Sequence, residues 1–185
     1  SPDPYATALK LMESPHREVR GRACLTAADL VANKLLFEYR DDSDLLRERA
    51  VELYQQVVDN YADIDDWRHE TLGNDASIKL FRLEQIRVGK QAPEIEGNDL
   101  HGLSMKLSDF QGKVVVIHHW HAGLESLREL KEVSQRFATT DVVILGVNIN
   151  DDANDAIAAT TKEGLTMQSW FDPDEMIHSK WSSSI

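Results

Sequence analysis

Three histidines fall within four residues at His118-His119-Trp120-His121, and a carboxylate, Glu125, follows. Imidazole and carboxylate are ligands that zinc takes, and a tetrahedral site needs three or four of them converging. His119, His121 and Glu125 are the candidate set. Direction works against it. Along an extended segment consecutive side chains alternate, so His119 and His121 share one face while His118 takes the other. The pattern favours packing and hydrogen bonding at the end of a strand over a metal centre. Ser126 could at most supply a hydroxyl to the same stretch.

Thiol chemistry has one candidate. Cys24 is the single cysteine of the chain, so an intramolecular disulfide is impossible and the redox compartment cannot be read from cysteine usage. It sits in Ala23-Cys24-Leu25 within a helical pattern, without a basic neighbour or helix start to make a thiolate. A small buried hydrophobe is the expected role. A second polar run, Asn148-Ile-Asn-Asp-Asp-Ala-Asn-Asp155, resembles a calcium loop only superficially. It lacks the spacing and central glycine of an EF-hand and reads as a strand-to-helix turn with a capping residue.

The elements that must position these groups fall into two regions. Residues 4 to 88 carry helical periodicity. Ser14-Pro15 predicts a helix start, followed by a stripe of Val19, Ala23, Ala27, Leu30, Val31 and Leu35. Asp41-Asp42-Ser43-Asp44 predicts an acidic turn, and the next helix has the stripe Leu46, Ala50, Leu53, Tyr54, Val57, Val58 and Tyr61. These two helices predict an αα-hairpin, with a further helix over about Leu72 to Val88. Ala50 to Asp63 is similar to one helix of a tetratricopeptide repeat, yet no second copy follows at the repeat period. A helical cap is the expected role, a peptide-binding module the alternative.

Past Gly89 and Pro93 the period changes. Leu103, Met105 and Leu107 alternate as in a half-buried strand, and Ser108 to Gly112 predicts one helical turn. Val114 to Ile117 reads as a strand buried on both faces, followed by a helix carrying Leu124, Leu127, Leu130, Val133 and Phe137. Asp141 to Asn148 predicts a second buried strand, Asn150 to Glu163 a capped helix ended by Gly164, Thr166 to Phe171 a third strand, and Pro173 to Trp181 a short helix. The expected class is α/β over 89–185, preceded by an all-α region over 1–88.

Length and composition bound the rest. The chain has 185 residues, 42% hydrophobic and 28% charged, as an ordinary globular protein does. The net charge of −12 is shared by both halves, which argues against nucleic acid or an anionic membrane surface as partner. No apolar run approaches the ~18 residues of a spanning helix, and the opening Ser-Pro-Asp-Pro-Tyr carries no signal-peptide pattern.

Gly112-Lys-Val-Val-Val-Ile-His-His-Trp120, preceded by Leu107-Ser-Asp-Phe-Gln111, resembles the thioredoxin-like fold. The closest resemblance is to the TlpA-like and alkyl hydroperoxide reductase/thiol-specific antioxidant (redoxin) branch. Val88-Gly-Lys-Gln-Ala-Pro-Glu-Ile95 and Asp99-Leu-His-Gly102 are similar to the opening of those domains, which begin with an added β-hairpin. In that branch the strand ends in a Trp-Ala-x-Trp-Cys-x-x-Cys-Arg motif at the first turn of the next helix. Laying Trp120 and Arg128 on the family Trp and Arg puts Leu124 and Leu127 on the two cysteine positions, so the Cys-x-x-Cys is replaced by Leu-Glu-Ser-Leu.

The resemblance implies a thioredoxin-like sheet with flanking helices, thiol-disulfide chemistry in the family, and a bacterial cell envelope or periplasm as compartment. It also implies a cis-proline, two antiparallel strands and a final helix after about residue 181. The last proline here is Pro173, so either the chain is a fragment of a longer protein, which is the favoured expectation, or a partner covers the open sheet edge. Leucine can neither attack a disulfide nor leave as a thiolate. The expectation is therefore a redox-inactive domain with no catalytic residue and no cofactor, acting as a binding or assembly module with a protein partner. The alternatives are part of a thiol-disulfide oxidoreductase or peroxiredoxin-like protein whose working cysteines lie outside this chain, and a metal-binding domain built on His118 to His121.

Overall fold

A computed structural model describes residues 2–37, 43–66, 70–123, 126–150 and 152–182. Contacts along the chain divide it into two compact units, residues 1–92 and 93–182.

The first unit is helical: α1 (Pro4–Leu11), α2 (Arg17–Phe37), α3 (Ser43–Tyr61) and α4 (Leu72–Gln85). Asp3 caps α1, its carboxylate accepting the Tyr5 N–H with Pro4 in the first turn. Thr71 caps α4 through the Asn74 N–H. α3 packs against both α2 and α4. The core between them holds Cys24, Ala27, Ala28 and Val31 from α2, Ala50, Leu53, Tyr54 and Val57 from α3, and Leu72, Ala76 and Leu83 from α4. The small residues on α2 let α3 approach closely. One polar knot crosses the helices: Lys79 Nζ donates to Asp29 at 2.8 Å and to Asp75 at 3.1 Å, and the Tyr54 hydroxyl donates to Asp29 at 2.7 Å. Burial and the Asp29 carboxylate raise the Tyr54 pKa, keeping that hydroxyl a donor.

Two readings of this unit need correction. α2 begins at Arg17, and Ser14 instead turns its hydroxyl to the His16 N–H at 3.3 Å. Val19 is exposed, so the buried stripe starts a turn later, at Ala23. Asp41 and Asp42 of the expected acidic turn lie outside the described residues.

The second unit opens with an antiparallel hairpin, β1 (Glu96–Asn98) and β2 (Ser104–Lys106). The Asp99 carboxylate closes its turn by accepting the His101 and Leu103 N–H groups, with Gly102 at φ 81°. A 3-10 turn over Leu107–Phe110 leads into β3 (Val114–Trp120). Then come α5 (Ser126–Phe137), β4 (Val142–Asn148), α6 (Ala153–Glu163), β5 (Ser169–Phe171) and α7 (Met176–Trp181). Strands β3, β4 and β5 form a parallel sheet in that order, with His118, Gly146 and Ser169 in register. α5 and α6 are its two crossovers. Asp152 caps α6 through the Asn154 N–H at 2.8 Å, and Gly164 ends it in the left-handed conformation.

Two apolar clusters line this sheet. One gathers Trp120 with Leu127 and Leu130 of α5 and Ala156 of α6. The other gathers Leu145, Val147 and Trp170 with Met105 of the hairpin and Ile177 and Trp181 of α7. Trp170 fastens the hairpin, its indole N–H donating to the Met105 carbonyl at 3.0 Å. Three sequence expectations fail here. β3 is not buried on both faces: Val114 is 62% and Val116 46% exposed. It is an outer strand of the described sheet, and α5 packs on β4 and α6 as well as on Trp120 at its end. Leu103 is also exposed, because the hairpin strand starts one residue later, whereas Met105 and Leu107 turn inward as the alternation predicts. Val133 and Phe137 of the α5 stripe are partly exposed as well, while Leu127 and Leu130 are buried.

Candidate functional site

In α/β folds chemistry collects where strands end and helices begin. Here that is the turn after Trp120, and a polar clamp holds it. Asn148 is fully buried at the end of β4, and its side-chain amide donates to Asn150 Oδ1 at 2.8 Å. That same oxygen accepts the Ala122 N–H at 2.8 Å, while Ile149 N–H donates to the Trp120 carbonyl at 3.1 Å. Trp120 itself is pinned by its indole N–H donating to Ser169 Oγ at 2.9 Å. The indole lies over Gly146, where a Cβ would come within 2.5 Å of Trp120 Nε1. Only glycine leaves room for that ring. The sequence offered Asn148 to Asp155 as a strand-to-helix turn and Trp120 as the family tryptophan, with no local signal linking Asn150 to Ala122.

Beyond the clamp lies a cleft of about 500 Å³ lined by Ala122, Gly123, Leu127, Arg128, Lys162 and Glu163, among others. Leu124 and Glu125 lie outside the described residues, and of Ser126 only the backbone is described. Leu127 is 3% exposed and belongs to the cluster around Trp120. Its side chain fills the domain's own core, and does not lie open at the surface.

The three histidines part company. His118 turns to the α5 face of the sheet; its Nε2 is buried without a hydrogen-bond partner among the described residues, and burial lowers its pKa. His119 turns to the opposite face. There it meets His178 of α7, with Nδ1···Nδ1 at 3.1 Å, ring centroids 4.8 Å apart and the rings nearly perpendicular. Burial, then the neighbouring His178 and His118, push the His119 pKa down to about 4. His121 lies past the strand end, exposed, its Nδ1 accepting the Gly123 N–H at 3.2 Å. It therefore does not join His119, although both were expected on one face: the strand ends at Trp120 and the alternation ends with it. Among the described residues no group of three or more His, Cys, Asp or Glu side chains is placed to hold a metal ion. Sequence reasoning missed His178, which lies 59 residues from its partner.

Cys24 lies in the helical unit, wholly buried, with its thiol donating to the Leu53 carbonyl at 3.4 Å. Burial pushes its pKa up to about 11.

A hairpin followed by a parallel β3-β4-β5 sheet with helical crossovers, and a turn held at the end of β3, define a thioredoxin-like α/β domain behind an all-α region. The chain belongs to the AhpC/TSA family, whose model matches residues 88–184. It is 31% identical over 68 residues to Peroxiredoxin Bcp of Bacillus subtilis, covering 34% of this chain and 43% of that protein. The chain thus spans under half the length of this curated relative. Among solved structures it is similar to the thioredoxin domain of a thiol-disulfide oxidoreductase from Bacteroides vulgatus. That likeness has 25% identity over 54% of this chain and 76% of the other, with a TM-score of 0.45. A secreted disulfide oxidoreductase of Mycobacterium tuberculosis gives 18% identity over 48% and 67%, with a TM-score of 0.43. No helix among the described residues is long and apolar enough to cross a membrane.

Proposed function

We propose that this chain is a redoxin-family domain without dithiol chemistry, a binding or assembly module made of a helical region, 1–88, and a redoxin domain, 89–185. The observation that carries the reading is its thiol inventory. Family chemistry needs a thiolate at the start of the helix after the central strand, where a helix N-terminus lowers the cysteine pKa. The proposed family positions hold Leu124 and Leu127, and the one cysteine, Cys24, is buried in a helical core with its pKa raised. What the site keeps is its scaffold: Trp120, the Asn148–Asn150 clamp and the cleft beside Arg128 and Lys162. A protein partner is the proposed ligand of that module.

The test is catalysis by the purified chain and by Cys24→Ser. Neither is expected to speed insulin-disulfide reduction by dithiothreitol, or peroxide consumption, above the uncatalysed rate. Turnover lost in Cys24→Ser would overturn the reading, and so would turnover that survives it.

A second reading has its own support in the Peroxiredoxin Bcp relative. The chain is then part of a thiol-disulfide oxidoreductase or peroxiredoxin-like protein whose working cysteines lie outside these residues. Activity in a longer form carrying such cysteines, with none in this chain, favours that alternative. Metal binding through His118 to His121 has less support, because those side chains point three ways.

A further inference from the structure

α7 is six residues long, too short to hold a helix by its own hydrogen bonds. Its attachments decide whether it stays. The buried Asp172 carboxylate accepts the Ile177 N–H at 3.1 Å and the His178 N–H at 2.7 Å. Ile177 and Trp181 pack on the cluster around Trp170, Leu145 and Val147. A further attachment is the imidazole pair, His178 from the helix against His119 from β3, beside a backbone hydrogen bond from His119 to Trp181.

An Nδ1···Nδ1 distance of 3.1 Å has one chemical meaning: one nitrogen carries the proton and the other offers its lone pair. A first added proton can go to the Nε2 of the donor ring and leaves this bond in place. A second one leaves two N–H groups and two positive charges facing each other in a half-buried site. We propose that His119 and His178 form a pH-sensitive latch, which holds α7 on the sheet while at most one ring is protonated and releases it when both are.

The surroundings agree with that sign. The groups acting on His119 are His178 from α7, Asp172 from the β5–α7 connection and His118 on its own strand. The two histidines and burial disfavour its cation, and Asp172 together with a backbone hydrogen bond to Trp181 favours it less strongly. The strands beside it bring Val147 and Trp170, which are apolar. The docked form therefore prefers neutral His119. Docking is fully supported above the ordinary histidine pKa of about 6.5 and is lost as pH falls toward about 4. Release uncovers part of the apolar cluster beneath Ile177 and Trp181.

The unmodified chain, labelled with nitrogen-15, supplies the first measurement. At about pH 7.5 the imidazole spectrum is expected to show one of the two Nδ1 atoms protonated and the other bare, with coupling across the hydrogen bond. Finding both Nδ1 atoms bare would overturn the proposal. The second measurement follows the amides of residues 176–182 from about pH 7.5 to about pH 4. They are expected to shift together to disordered positions in the unmodified chain, and this transition is expected to vanish in His119→Gln and in His178→Gln. A transition that persists in both variants would place the titrating group elsewhere, at Asp172 for instance, and sink the latch. So would α7 amides that stay unchanged throughout.

Discussion

Cys24 carries the one thiol of this chain, and it is buried. That thiol donates to the Leu53 carbonyl of α3 and has its pKa pushed up to about 11, so almost no thiolate forms near neutrality. Iodoacetamide at about pH 8 should leave Cys24 unmodified in the folded chain and alkylate it fully in denaturant, as read by mass spectrometry. Labelling of the native chain within minutes would show that the thiol is accessible. The inert cysteine was legible in the sequence, because Ala23-Cys24-Leu25 lies on a helical stripe. The histidines were legible only halfway. Alternation along β3 correctly separated His118 from His119, yet gave no sight of His178, whose approach depends on how α7 returns to the sheet. Pairings of that kind carry no local signature.

Among the elements, α5 shows how a sequence stripe and a packed face can differ. Leu127 and Leu130 go into the core with Trp120, whereas Val133 and Phe137, equally apolar in sequence, stay partly exposed. Leu127→Ala should lower the stability of this unit by roughly 2–5 kcal/mol in urea unfolding, because it opens a cavity beneath Trp120. A loss below about 0.5 kcal/mol, the range of surface substitutions, would mean that Leu127 is not the core residue described. The periodicity told which stretch is helical; which turns are covered depends on the sheet below, and β3 being an outer strand was not readable from Val114 to Ile117. Boundaries set by capping chemistry were more legible: Asp152 and Gly164 fix both ends of α6 through hydrogen bonds local in sequence. In the helical unit the same contrast holds. The α3 stripe was plain, but the Lys79–Asp29–Tyr54 knot joins three helices that no local pattern links.

At the scale of the molecule, the change of period near Gly89 to Pro93 separates helical sequence from α/β sequence. Limited proteolysis is expected to cut first between residues 86 and 92, where Val88 is fully exposed, and to leave two resistant fragments. First cuts inside α3 or the parallel sheet would contradict a two-unit chain. The family was legible because its strand and hairpin phrases survive in Val88 to Trp120. Whether its chemistry came with them is a separate question, since a fold is shared more widely than the side chains that act on it. In the reading proposed above, Leu124 and Leu127 stand where the family keeps its cysteine pair. The direct test is Leu124→Cys with Leu127→Cys in one chain, with free thiols counted under denaturing conditions after mild oxidation. The account predicts that the new pair closes into an intramolecular disulfide and leaves Cys24 as the one titratable thiol. Three free thiols in the monomeric double variant would contradict it.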